Sequence, residues 1–364
     1  MDNLKECRDN ITEIDAKIAA LFEERMKNAK QIAEYKKENG LSVKDETREK
    51  ELIAHNSKLI EDEDIRSYYV RFLESTLNVS CDYQEMQMNG MKVAYGGKVG
   101  AFAHIAAKNL FPKANLISMH DFNEAYESVE KGINDCAVLP LENSMAGDVG
   151  TVMDLMFQGS LHVRQVYDLQ VRHHLLGLPG AKREDIKSVY SHPQAIAQCS
   201  NYLGKQNITT FETANTSLGA AKVKESGDKS IAAIASEETA EAAGLTIIDS
   251  DIQNNGINTT RFAVFSRVAE PDEIKTATGD ENFIIMFTVK NEAGALAATL
   301  NIIGAHGYNM KSLKSRPLKS LPWNYYFYIE AEGNIHSRNG QAMMQELSAL
   351  CAQLKMVGTY KSGE

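Results

Sequence analysis

Cysteine is sparse and its spacing is uninformative for metals. The five in this 364-residue chain, Cys7, Cys81, Cys136, Cys199 and Cys351, form no C-x-x-C pair, so neither a zinc site nor a disulfide framework has support. Positive charge is in the minority. Lys and Arg number 39 against 49 Asp and Glu, a net −10, which disfavours nucleic acid and obliges any anionic ligand to find a local basic cluster. No apolar run approaches the roughly 20 residues that span a bilayer. The N-terminal residues are charged from Asp2 onward and lack the apolar core of a signal peptide. Low-complexity tracts and internal repeats are also missing. What remains is the profile expected of a soluble, cytoplasmic protein, with room for two or three domains.

Three segments differ in their grammar. Residues 1–88 are charged, almost free of glycine, and helical in period: Leu4, Cys7, Ile11, Ile14, Ile18 and Leu21 recur every three or four residues. This first helix is expected to end near Asn39-Gly40, with Gly as a left-handed cap. Asp45 reads as the N-cap of a second helix, with Glu46 in its first turn. A third helix is expected from Ile65 to about Glu85, with CDYQEMQMNG as its end and a linker. Residues 91–268 alternate short apolar strands (MKVAYGG, CAVLPLE, IKSVYSH, SIAAIAS, RFAVFS) with helical stretches at 101–111, 121–131 and 193–204. That pattern predicts an α/β domain with largely parallel strands. AEPDEIKTATGDE reads as a charged linker. Residues 281–364 read strand NFIIMFTV, helix 294–305, strand YNMKSLKSRP, strand NYYFYIEAE, helix 338–354 and strand KMVGTY, the β-α-β-β-α-β order of a ferredoxin-like domain.

On the first helix, Arg25 and Lys36 are 11 residues apart. They point the same way about 16 Å apart, so their long side chains can converge on a small anion. Arg8 lies roughly 25 Å from Arg25 and about 100° away in rotation. It can serve the same site only from a second subunit, and an apolar stripe on so long a helix also points to a dimer. The run RDNITEIDAKIAALFEERMKNAKQIAEYKK, with DETREKE and NVSCDYQ, resembles the all-helical chorismate mutase family. The resemblance implies that Arg8, Arg25, Lys36, Asp45, Arg48, Glu49, Ser80 and Gln84 bind chorismate. Arg side chains clamp carboxylates through paired hydrogen bonds. The rearrangement to prephenate is pericyclic and needs no nucleophile, metal or organic cofactor. Catalysis then consists of holding the compact conformer and stabilising charge on the breaking ether oxygen, a task for Lys36 and Gln84, while Glu49 accepts the ring hydroxyl's hydrogen bond.

In the middle segment GKVGAFAH (97–104), PLENSMAGDV (140–149), YSHPQ (190–194) and NTTRF (258–262) stand out as polar clusters. Singly, each has an ordinary account. Gly97 and Gly100 turn the chain, Ser191 caps a helix with Pro193 early in its first turn, and His104 and His192 are structural. Together with NTS (215–217) they resemble prephenate dehydratase, whose fold is similar to that of two-lobed periplasmic binding proteins. The resemblance makes Thr260 the essential hydroxyl, and Arg261 either an offset for substrate charge or a fastener between lobes. It offers Asn143, Ser191, Gln194, Thr216 and Ser217 as substrate contacts. Glu142 and His192 both stand as candidate proton sources. Ala101 and Ala103 occupy positions where relatives carry hydroxyls, so ligand contact at that loop is expected from backbone or not at all.

The last segment resembles an ACT domain, an amino-acid sensor. Gly294, Ala295 and Leu296 match its first motif, and Ser315, Arg316 and Pro317 its second, with Lys314 where a glutamate is usual. These resemblances imply a bifunctional enzyme of phenylalanine biosynthesis that takes chorismate through prephenate to phenylpyruvate. It would respond to L-phenylalanine and work as a homodimer or higher oligomer. Two alternatives are a dehydratase with a non-catalytic helical dimerisation module, and a two-lobed ligand sensor without chemistry.

Overall fold

Residues 2–89 fold into helices joined by short turns. In the computed structural model, which describes residues 2–206, 208–269, 281–319 and 321–361, the chain divides into two compact units, Met1–Lys92 and Val93–Glu364. The first holds α1 (Asp2–Glu38), α2 (Glu46–Asn56), a 3-10 turn at Ser57–Leu59, and α3 (Glu63–Asn89). The end of α1 follows the sequence expectation. Gly40 is left-handed, Gly40 N–H donates to Lys37 O, and Leu41 N–H donates to Lys36 O at 2.9 Å, the paired bonds of a Schellman cap. Asp45 caps α2 by accepting from Arg48 N–H at 3.0 Å. By contrast α3 outruns its expected end and absorbs the supposed linker. No glycine or proline interrupts it before Gly90, and Ser80 and Gln84, one turn apart, are buried on its inner face. The small Ala29 and Ala33 are buried on α1 where it meets α3. The N-terminal stripe is not: Leu4, Ile11, Ile14, Ile18 and Leu21 are all 42–65% exposed.

The second unit begins with β1 (Lys92–Gly96), α4 (Phe102–Leu110), β2 (Asn115–Met119), α5 (Phe122–Glu130), β3 (Cys136–Asn143), β4 (Gly147–Asp148), α6 (Gly150–Gln158) and β5 (His162–Gln170). The chain then crosses into a second sheet. Its elements are β6 (His174–Gly177), β7 (Ser188–Ser191), α7 (Pro193–Gln198), α8 (Ser200–Gly204), β8 (Thr209–Glu212), α9 (Thr216–Ser226), β9 (Ile231–Ala235), α10 (Glu237–Ala243) and β10 (Thr246–Asp249). It returns along β11 (Thr259–Ser266). The segment after the charged stretch supplies β12 (Glu281–Thr288), α11 (Ala295–Ala305), β13 (Asn309–Pro317), β14 (Tyr325–Glu332), α12 (Arg338–Leu350) and β15 (Gln353–Lys361). The linker expected at 269–281 falls on residues 270–280, outside the described residues.

Two sheets result, ordered β13-β14-β12-β15-β5-β11-β3-β1-β2, with β4 on β3, and β10-β6-β9-β7-β8. The expectation of largely parallel strands needs correction. β1 runs parallel to β3, and β7 to β8 and β9, but β11 is antiparallel to both β3 and β5, and β6 to both β9 and β10. The chain leaves the first sheet along β5 and re-enters along β11, so these neighbours must run in opposite directions. The helix expected over 193–204 breaks at Cys199 into α7 and α8. The helix expected to reach 354 stops at Leu350, because residues from Gln353 onward pair with β12.

The C-terminal β-α-β-β-α-β segment shares the first sheet. Gly358 of β15 lies opposite Val163 of β5, and a Cβ there would sit 2.0 Å from Val163 O, so only glycine allows the approach. One apolar cluster spans the junction, joining Leu139, Met153 and Phe265 to Ile284, Met286 and Tyr326. Tyr326 stacks on Phe157 with ring centroids 4.5 Å apart. Burying one such ring contributes about 1.5–3 kcal/mol. Among the described residues, no helix is long and apolar enough to cross a membrane.

Candidate active sites

In the helical unit, three helices bring together half-buried charged groups. Arg25 and Lys36 come from α1, Glu49 from α2, and Ser80, Cys81 and Gln84 from α3. Lys36 Nζ donates to Val43 O at 2.5 Å, and Arg25 Nη1 to Thr76 O at 3.4 Å. Cys81 Sγ donates to Glu49 Oε1 at 3.5 Å. Burial, then the Glu49 hydrogen bond, pushes the Cys81 thiol up from its ordinary range, against the field of Lys36. Burial also lowers Arg25. Ser80 Oγ is turned back to Thr76 O at 2.9 Å. Gln84 Oε1 is buried with no partner among the described residues, the state of a group facing a ligand site or strained by lacking one. Asp45 spends one oxygen on its cap, and Arg48 pairs with Glu51 at 3.6 Å in solvent. Arg8 is exposed, among the described apolar stripe and not with the cluster. The sequence reading did not single out Cys81.

In the second unit, Thr260 is half-buried at the mouth of β11, opposite Asn143 of β3. Asn143 Nδ2 donates to Thr260 Oγ1 at 2.9 Å and to Asn258 Oδ1 at 2.8 Å. Asn143 Oδ1 accepts from Met145 N–H (3.1 Å) and Ala146 N–H (3.0 Å). Backbone N–H groups cannot accept, so this fixes which end of the amide faces Thr260. The pairing skips Leu141 on β3, a bulge that also seats Pro140 in a central strand where its missing N–H would otherwise break the ladder.

Glu142 and Arg261 face the other way, as neighbours on paired strands must. Arg261 holds Asp168 through two bonds, at 2.9 and 3.1 Å, and approaches Glu330 at 3.5 Å and Glu142 at 3.6 Å. Glu142 is also held by Lys314, which reaches Asp148 at 2.7 Å. The structure therefore does not bring Glu142 to the Thr260 hydroxyl. Arg261 ties β11 to β5 and β14 within the first sheet, and none of these partners lies in the second lobe, so the expected fastener between lobes is not what these contacts form. Ser191 is not a helix cap either. It is fully buried and donates to Ile234 O at 2.6 Å, while His192 caps α7 by accepting from Gln194 N–H at 3.2 Å. Pro193 is at the first helical position. Gln194 is exposed, Thr216 half-buried, and Ser217 Oγ buried without a partner among the described residues, beside a cavity of about 550 Å³ that Lys98, Thr239 and Lys224 also line.

At the GKVGAFAH loop the backbone carries the contacts. Gly100 O accepts from Ser236 Oγ and Thr239 Oγ1, both at 2.9 Å, and so ties the first lobe to the second. Gly100 has φ +87, and a Cβ would meet Thr239 Oγ1 at 2.7 Å. Ala101 caps α4 with no side-chain bond, and His104 Nδ1 accepts from Gly100 N–H at 3.3 Å. Burial lowers the His104 pKa.

In the C-terminal segment Gly294 is the N-cap of α11, followed by Ala295 and Leu296. On β13, side chains alternate. Lys314 and Arg316 turn inward, and Ser315 and Pro317 are exposed. Arg316 binds Asp154 at 3.2 Å and Tyr326 Oη at 3.1 Å, so its guanidinium is already engaged.

A family model described as Prephenate dehydratase matches residues 93–270, and one described as Chorismate mutase type II matches residues 7–85. A bifunctional chorismate mutase/prephenate dehydratase from Enterobacter agglomerans is 30% identical over 371 residues, spanning 98% of this chain and 95% of that protein. Among solved structures, a prephenate dehydratase from Arthrobacter aurescens in complex with L-Phe superposes with a TM-score of 0.68 at 25% identity, over 74% of this chain and 90% of that one. A quorum quenching acylase has the same TM-score at 28% identity, over 75% and 98% of the two chains.

Proposed function

As a member of the bifunctional chorismate mutase/prephenate dehydratase family, the chain is an enzyme of both kinds, and we propose how its residues divide the two reactions. The helical unit converts chorismate to prephenate. Arg25, Arg48 and a second subunit's copy of Arg8 clamp the carboxylates. Lys36 keeps two of its three donors beyond the bond to Val43, and with Gln84 it stabilises charge on the breaking ether oxygen. Glu49 takes the ring hydroxyl, and Asp45 and Ser80 complete the set.

The second unit converts prephenate to phenylpyruvate. The observation that carries this assignment is the Thr260–Asn143 pair. A hydroxyl has one proton. Because Thr260 Oγ1 accepts from Asn143, that proton is free for the substrate's departing hydroxyl, and aromatisation with loss of CO2 drives the rest. Neutral threonine is a weak acid, so it polarises the leaving group and the proton comes from elsewhere. Of the two candidates, His192 stays on this side of the reading. Gln194, Thr216 and Ser217 contact prephenate from the second lobe, with Ser191 supporting the loop from beneath.

Residues 281–361 act as an ACT-type sensor of L-phenylalanine. The α11 N-terminus at Gly294, Ala295 and Leu296 binds its carboxylate. Ser315 and the backbone at 315–317 provide the second contact, since Arg316 is engaged. The protein works in the cytoplasm as a homodimer or larger assembly. The test is phenylpyruvate formation from prephenate, with and without L-phenylalanine. Turnover that phenylalanine suppresses is the expected outcome. Turnover indifferent to it would remove the sensor, and no turnover in folded protein would remove the dehydratase.

A further inference from the structure

A line of buried side chains leads away from Thr260, and its hydrogen-bond polarity can be read from end to end. Asn143 is fixed by two backbone donors to its oxygen, so its amino group faces both Thr260 and Asn258. Asn258 Oδ1 thereby accepts, and its Nδ2 donates to Gln198 Oε1 at 3.0 Å. Gln198 Oε1 also lies 2.8 Å from His173 Nε2. An amide oxygen cannot donate, so His173 must carry its proton on Nε2. Its Nδ1 is buried without a partner among the described residues, which suits the unprotonated nitrogen of a neutral ring. Burial, the largest influence, holds His173 below the ordinary histidine pKa. The Phe102 ring packs edge-on against the imidazole at 5.6 Å. His173, Gln198, Asn258 and Asn143 are each at most 9% exposed.

These residues come from different parts of the unit. His173 and Asn258 lie on the two segments that cross between the sheets, Gln198 is on α7 of the second lobe, and Asn143 and Thr260 are on the first. We propose that His173 is a positioning residue for the dehydratase reaction: the backbone donors to Asn143 set the direction of the hydrogen-bond chain, and the His173 Nε2–H anchors its far end, holding Gln198, Asn258 and Asn143 in the register that leaves the Thr260 proton aimed at substrate. The inference rests on the reading of Thr260 as the reacting hydroxyl.

Four variants test it in the full-length protein: Thr260→Val, His173→Leu, His173→Gln and Gln198→Met. Glutamine can present its amide N–H near the position of Nε2, whereas leucine cannot. His173→Leu and Gln198→Met should each lower kcat for prephenate by about 10- to 100-fold, the cost of a misplaced catalytic group. KM should change less than about threefold, since no substrate contact is lost. His173→Gln should recover most of kcat. Adding His173→Leu to Thr260→Val should cost little further, because two links of one chain are not additive. Equal kcat losses in His173→Leu and His173→Gln, a loss expressed in KM, or additive losses in the double variant would overturn the proposal. Full activity of both His173→Leu and Gln198→Met beside an inactive Thr260→Val would also overturn it and leave Thr260 in place. An active Thr260→Val would instead remove the reading on which it rests. Should His173→Leu not fold, Gln198→Met and His173→Gln carry the same decision.

Discussion

Individual side chains separate the two reactions. Lys36→Ala should abolish prephenate formation from chorismate and leave phenylpyruvate formation from prephenate intact, and Thr260→Ala should do the reverse. Assaying both substrates on each variant checks this, and loss of both activities in a folded Lys36→Ala protein would contradict separate sites. Lys314, the departure from the usual glutamate, has a structural use. Its side chain is 14% exposed, and its ammonium serves two carboxylates, Glu142 and Asp148. Lys314→Ala should therefore cost about 1–2 kcal/mol, read by thermal unfolding, because it removes the cation from Asp148 and leaves Glu142 dependent on the more distant Arg261. Lys314→Glu should cost more. Asp154 supplies a pH signature. Burial opposes its charge, but hydrogen bonds from Tyr326, Lys319 and Arg316 outweigh it and lower its pKa below the ordinary 3.8. A depressed carboxylate stabilises the fold above that value and stops doing so as pH falls through its folded pKa. The melting deficit of Asp154→Asn should be full at pH 7 and shrink below about pH 4. The sequence showed Thr260, Asn143 and Lys36 through motif resemblance. It did not show that Asn143 bonds Thr260, nor the residues that follow Asn143 in the chain. Asn258 was inside the quoted NTTRF, two residues from Thr260 and hence on its side of the chain, a usable signal. Gln198 and His173 are 60 and 85 residues from Asn258, and only the crossing of the lobes makes them neighbours.

Elements followed local rules wherever those rules were strong. Caps at Asp45 and Gly40, and strands β1, β3, β7, β9 and β11, were legible, whereas β2, β5, β6, β8 and β10 were not. Boundaries slipped where tertiary pairing decided them, as at the start of β15 and the end of α3. Strand direction was also out of reach, because periodicity does not encode which way a neighbour runs. α1 presents the clearest element-scale prediction. Its periodic stripe was read as a contact surface, and it is exposed in the single chain. On the proposed dimer, Ile11→Asp with Ile18→Asp should give a smaller species in sedimentation than the parent chain and remove mutase activity, because the proposed contribution of Arg8 from the second subunit would be lost. Dehydratase turnover by the second unit should persist under the same conditions.

The molecule as a whole is two compact units rather than a row of three independent domains, for the C-terminal segment shares a sheet and an apolar cluster with the lobe that carries β11. Gly358→Val should therefore lower the melting temperature of the second unit and weaken the response of dehydratase turnover to phenylalanine, because its side chain cannot fit against Val163. An unchanged melting temperature would show that the β15–β5 contact contributes nothing. The shared sheet also sets terms for recombination. A chimera that takes residues 281–361 from a relative would need a glycine to meet Val163, a cation to meet Glu142 and Asp148, and an acid to meet Arg261. A donor bearing glutamate at position 314 would gather three carboxylates at one seam, so the C-terminal segment and the lobe whose sheet it shares are best exchanged together.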